Sequence, residues 1–210
     1  KLNSYAVINN GWERSETVDI WKDKANCNNV SHCHEDVVKE EFLDPIIKIK
    51  SKILNYSGIM HMFIIHGMSS KHVQKNKNVD IVVGYGSGSP DSLSCSIWRK
   101  NCIIHELETQ GLNVYEANKN GIFSGWAKNN MNQLFRKWYY DESVQSFQLE
   151  IIDGLRDSDE ICDMLGDCIK KAIENYLFTK IFDLLTYPKN IDCQPDEYNY
   201  QKLILMDTGY

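Results

Sequence analysis

Met62 to Ile65 is a mostly apolar run that leads into His66, Gly67, Met68, Ser69 and Ser70. No other stretch constrains the chain as much. The segment Ile59–His66 reads as a buried central strand, and its imidazole falls at the C-terminal end, where open α/β sheets place their ligands. About 80 residues further on, a second apolar segment carries Gln148-Leu149-Glu150. An imidazole and a carboxylate on two strand ends of one sheet are raw material for metal-assisted hydrolysis.

The segments around these two strands alternate in period. Tyr5 to Ile8 reads as a strand ending in the turn Asn9-Asn10-Gly11. Residues 12–34 form a long polar loop, and loops of that length inside a domain usually carry function or move. Val38, Phe42, Ile46, Ile49 and Ile53 recur at helical spacing from Glu35 to Tyr56, with a kink or a break expected at Pro45. Residues 69–78 are a polar loop. Asp80–Gly84 is a β-branched strand. A helix capped by Asp91 or Ser92 runs to about Gln110, and Leu112–Ala117 is the next strand. A short helix is expected over 129–138, a strand over Val144–Ile152 and a long amphipathic helix over 158–185. Lys202 to Met206 suits an edge strand. This order predicts one α/β domain over residues 1–210, a three-layer α/β/α arrangement around a mostly parallel or mixed sheet, with 186–210 as a C-terminal extension.

Composition sets limits. The chain has 210 residues, 42% of them hydrophobic, and a formal net charge of −6. That balance suits a globular domain and gives no general basic face for nucleic acid. No apolar run approaches the ~20 residues of a membrane span. Seven cysteines without a C-x-x-C pair read as reduced thiols in a cytoplasmic protein.

Each candidate site residue has a plain alternative. His66 is a metal ligand or general base, or else a strand-end histidine bonded to backbone. Glu150 shares a strand face with Gln148 in an otherwise apolar segment, where a carboxylate must be paired or working; the alternative is a strand with one wet face. Ser31-His32-Cys33-His34-Glu35 offers two imidazoles and a carboxylate to a metal, or simply starts a helix with Ser31 as cap. Glu13, after the first strand, is a further carboxylate ligand candidate. Gly84-Tyr85-Gly86-Ser87-Gly88 lacks the pattern of a P-loop or a dinucleotide fold and reads as a flexible turn at the sheet edge.

Taken in order, the motifs resemble the N-formylglutamate amidohydrolase family, relatives of the zinc carboxypeptidases. The series is Val7-Ile8-Asn9-Asn10-Gly11, Ala25-Asn26-Cys27-Asn28-Asn29, His66-Gly67-Met68-Ser69, Asp80-Ile81-Val82-Val83-Gly84, the loop with Gly121 and Gly125, and Gln148-Leu149-Glu150. It covers most of residues 5–156. The resemblance implies a zinc-dependent amide hydrolase acting on a small, carboxylate-bearing substrate. His66 matches the strand-end zinc ligand and Glu150 the general base, with Gln148 beside it. Asn28 and Asn29 fall where relatives carry Asn-Arg to hold a substrate carboxylate. Tyr115, Asn118, Lys119 and Arg156 follow strands and are further substrate-binding candidates. Two positions depart from the pattern. Asn9 and Asn10 stand where the family has its first histidine, and position 29 lacks the arginine. Either His32 or His34 supplies the missing nitrogen, alongside Glu13 as carboxylate, or the metal site is weakened or lost. The alternative function is a non-catalytic relative that binds a small anionic ligand in the same pocket.

Overall fold

The structure, a computed structural model, describes residues 5–9, 40, 43–69, 78–127, 130–136, 143–186 and 203–208. Its elements in chain order are β1 (Tyr5–Asn9), α1 (Asp44–Ser57), β2 (Met60–Met68), β3 (Ile81–Gly84), α2 (Ile97–Thr109), β4 (Val114–Glu116), α3 (Met131–Leu134), β5 (Val144–Ile152), α4 (Asp159–Thr186) and β6 (Leu203–Thr208). The six strands form one mixed sheet in the order β1-β6-β2-β5-β3-β4. Neighbours are parallel except β3 and β5, which are antiparallel.

Alternation along β2 sends its side chains to two different cores. Met60, Met62 and Ile64 pack with Ile46 and Ile53 of α1 and with Met131 and Phe135. Phe63 packs on the other side with Ile103 and Leu107 of α2 and with Leu165, Ile169 and Ala172 of α4. Its ring stacks on Phe147 of β5, with centroids 5.0 Å apart. Both rings are fully buried, and truncating either to alanine would cost about 3–5 kcal/mol. A smaller cluster of Met68, Val79, Val82 and Ala117 lies at the C-terminal end of β2, with Phe123 and Ile152 packed against it.

Several boundaries differ from the sequence reading. The tail segment is not an edge strand: β6 lies inside the sheet, between β1 and β2. The continuous run Leu203-Ile204-Leu205-Met206 suits such a parallel strand flanked on both sides. Pro45 sits in the first turn of α1, where its missing N–H is no loss. Helix α2 is capped by Ser96, whose side chain accepts from Arg99 N, and not by Asp91 or Ser92. Ser92 is engaged elsewhere, its hydroxyl donating to Gly86 O at 2.6 Å and accepting from Ser89 N at 2.8 Å. Residues 84–88, read as a flexible edge turn, are therefore part of a buried and tightly bonded loop. Gly86, at φ 73°, faces Ser92 O and the Gln133 amide so closely that a Cβ would collide with both. Cys95, Cys102, Cys162 and Cys168 are free thiols. Among the described residues no helix is long and apolar enough to cross a membrane.

Candidate active site

Parallel pairing aligns β2 and β5 residue for residue, so that Met62 opposes Ser146, Ile64 opposes Gln148 and His66 opposes Glu150. Register partners share a face and neighbouring strands lie ~4.8 Å apart, so the His66 and Glu150 side chains leave the sheet together. Both groups are buried, His66 at 2% and Glu150 at 5% exposure. On the far side of Glu150 its register partner is Val82 of β3, followed by Tyr115 of β4. The carboxylate thus stands between an imidazole and an apolar strand.

That setting shifts both groups away from their ordinary pKa values. Burial pushes the Glu150 carboxyl up to about 7, while the hydrogen bond from Gln148 and the charge of Arg156 pull it back. Gln148 Nε2 donates to Glu150 Oε1 at 2.7 Å. Burial takes His66 down to about 4, so its ring is neutral near pH 7 and one ring nitrogen carries a lone pair. A carboxyl that titrates near neutrality is suited to take up and return a proton.

Arg156 frames the other side. Its guanidinium lies over Gly67, where a Cβ would collide with it, which gives a physical reason for glycine after His66. The Arg156 Nη2 pairs with Asp153 Oδ1, and its Nε is buried without a hydrogen-bond partner.

The remaining predicted residues fall into two groups. Tyr115 and Asn118 come together, the phenol donating to Asn118 Oδ1 at 2.6 Å. They lie at β4 and the loop after it, two strands or ~10 Å from β5. Lys119 is exposed next to them. Glu13, Asn28, Asn29, His32 and His34 lie outside the described residues.

Sequence reasoning missed the polar floor of the site. Asn130 caps α3 and its Nδ2 donates to Gln148 Oε1 at 3.4 Å. Asn132 Oδ1 accepts from Ser146 Oγ at 2.8 Å, and Gln133 Nε2 donates to Gly125 O at 2.9 Å and Ser92 O at 2.6 Å. The available signal was an asparagine just ahead of a short helical pattern, the usual cap position. Nothing in its spacing tied it to residue 148.

No family model and no curated protein matches the chain. Among solved structures it is distantly similar to an N-formylglutamate amidohydrolase from Ralstonia eutropha JMP134, at 13% identity and a TM-score of 0.46, over 69% of this chain and 54% of that one. It is also similar to YNDL in an apo, zinc-free form, at 15% identity and a TM-score of 0.35, over 54% of this chain and 53% of that one. The chain spans about half the length of each of these structures.

Proposed function

We propose that this chain hydrolyses an amide bond of an N-acyl amino acid or small peptide, with Glu150 as general base. One observation carries the reading: His66 and Glu150 are register partners on one sheet face, and the carboxyl titrates near neutrality. The motif series of the amidohydrolase family runs through the same two residues. In this reading the helices on the two sheet faces complete the three-layer arrangement of that family.

Zinc is the cofactor that the resemblance implies. The described residues contain no group of three or more His, Cys, Asp or Glu side chains that could hold a metal ion. Within them His66 offers one donor of suitable chemistry, a neutral imidazole. Glu13 with His32 or His34 would complete the set. Zinc, when bound, would polarise the scissile carbonyl and lower the pKa of a water towards ~7. The chain's own residues do the rest. Glu150 takes the proton from the attacking water and returns it to the leaving amine. Gln148 holds one oxygen of that carboxylate. Arg156 receives the substrate carboxylate as a charge-assisted pair, with Asn28 and Asn29 assisting. Tyr115 and Asn118 contact the distal end of a longer substrate.

The test combines elemental analysis with an assay. The purified protein is offered N-formyl amino acids and γ-glutamyl amides, and release of free amine is followed. About one zinc per chain and turnover lost in Glu150→Gln, with metal content kept, are expected. Turnover that survives the substitution removes Glu150 from the role. A second reading, a non-catalytic binder of small anions, is favoured by β1 ending in Asn9 where the family pattern has histidine nearby. Absence of zinc under metal-replete conditions selects that reading.

A further inference from the structure

The two ends of a primary amide have nearly the same shape, so a buried glutamine faces its neighbours correctly only when something sets its orientation. A chain of donors starting at a backbone N–H sets the orientation of Gln148. The N–H of Asn132 can only donate, and it donates to Asn130 Oδ1 at 2.9 Å. That contact turns Asn130 Nδ2 towards Gln148, where it meets Oε1 at 3.4 Å. Gln148 Nε2 is then left to donate to Glu150 Oε1 at 2.7 Å.

We propose that Asn130 is a positioning residue for Glu150, fixing the Gln148 amide with its NH2 group towards the carboxylate. The importance of that placement for turnover rests on the reading of Glu150 as general base. Asn130 is itself held firmly. Its N–H donates to Ala127 O at 2.8 Å, and its carbonyl accepts from Gln133 N at 2.8 Å and Leu134 N at 3.0 Å. Gln148 is buried, so solvent cannot satisfy a reversed amide. Reversal would set Nε2 against Asn130 Nδ2, donor against donor, and, with Glu150 ionised as a base must be, Gln148 Oε1 against the carboxylate, acceptor against acceptor. The relay also explains why a polar glutamine is kept on a buried strand two residues before the base: at that spacing it shares the face of Glu150 and reaches both neighbours.

Asn130→Asp keeps an oxygen to cap α3 but replaces the donor that faces Gln148 with an acceptor. The amide should then invert, presenting Oε1 to Glu150. Asn130→Ser keeps the cap but is too short to reach Gln148. The readout is the side-chain amide pair of Gln148 in nitrogen–proton NMR spectra, with kcat and KM measured on the N-formyl amino acid panel. In Asn130→Asp the Gln148 pair should shift while backbone signals of α3 stay in place. The kcat should fall by about tenfold or more with KM unchanged, and Asn130→Ser should lie between it and the unmodified protein. An unchanged Gln148 pair in Asn130→Asp overturns the relay, whatever the activity. A shifted pair in a protein that hydrolyses no amide upholds the relay and overturns the assignment of Glu150 as a base.

Discussion

Strand β2 carries a histidine near each end, and the two have different surroundings. His61 opposes Gln145 on β5, and His66 opposes Glu150. Both rings are buried and both are held below their ordinary pKa, His61 by burial and then by the charge of Arg99, His66 by burial. At the first end every group has a settled partner. Arg99 Nη1 bonds to His61 Nε2, and Gln145 Oε1 accepts from Ser96 N at 2.8 Å, the residue that caps α2. The Arg99 contact makes the His61 nitrogen an acceptor on a neutral ring. At the second end the partner strand supplies a group that changes charge near neutral pH, and a guanidinium lies over the next glycine. Burial and a lowered pKa therefore do not separate the two histidines. The chemistry of the register partner does.

The strongest way to break this comparison is at the carboxyl. Glu150→Gln should lower kcat by roughly 10²–10⁴-fold, whereas Gln145→Ala should leave turnover within about twofold and act on stability. Equal losses of turnover at both positions would mean that the two ends do not differ in function.

The next effect is on stability against pH in the metal-free protein. Folded Glu150 holds its proton up to about 7, against 4.5 as the ordinary value. The folded state binds more protons in that window, so its contribution falls as pH rises from about 4.5 to about 7. His66 has the opposite sign: lowered from 6.5 to about 4, it costs stability as pH falls through that range. Glu150→Gln removes the first dependence and keeps the second. Urea unfolding at about pH 8 and about pH 4.5 should show the variant gaining roughly 2–3 kcal/mol at the higher pH relative to the unmodified protein. Parallel profiles for the two proteins would show that Glu150 is not protonated on folding.

A smaller effect separates the histidines themselves. His61→Ala removes the acceptor for Arg99 and should destabilise by about 1–3 kcal/mol without changing zinc content. His66→Ala should lower zinc content in elemental analysis. Zinc lost from both variants or from neither would erase the contrast. The mildest test is Gly67→Ala, which should displace the Arg156 guanidinium for about 1 kcal/mol of stability. It should also raise KM severalfold for substrates bearing a carboxylate and leave neutral amides unaffected.

The strands that build the site were legible because their signals are local. Val144–Ile152 is recognisable from its apolar run, and the structure gives that strand the same limits. The strand into His66 was equally plain, although it continues to Met68. What makes the pair meet is register, and register depends on strand order, which no local pattern encodes. Hence β6 read as an edge although it fills the gap between β1 and β2. Gly84 to Gly88 has a composition shared by loose turns and by tightly packed loops. Only the partners outside the segment, Ser92 nearby and Ser124 and Gln133 further along the chain, separate the two cases. Asn130 stayed hidden for the same reason: its cap role is local and its contact with Gln148 is not.

The buried polar row Ser146, Gln148 and Glu150 alternates with Phe147, Leu149 and Ile151 on a strand covered on both sides. Slipping β5 by one residue against β2 would thrust three hydrophilic groups among the aromatic and aliphatic packing and strand three greasy ones among amides. Such a molecule would not be a native protein with a blurred centre; it would not be native at all. Quality control of the centre is thereby delegated to folding, so that any copy surviving in solution carries its imidazole and carboxyl already in line.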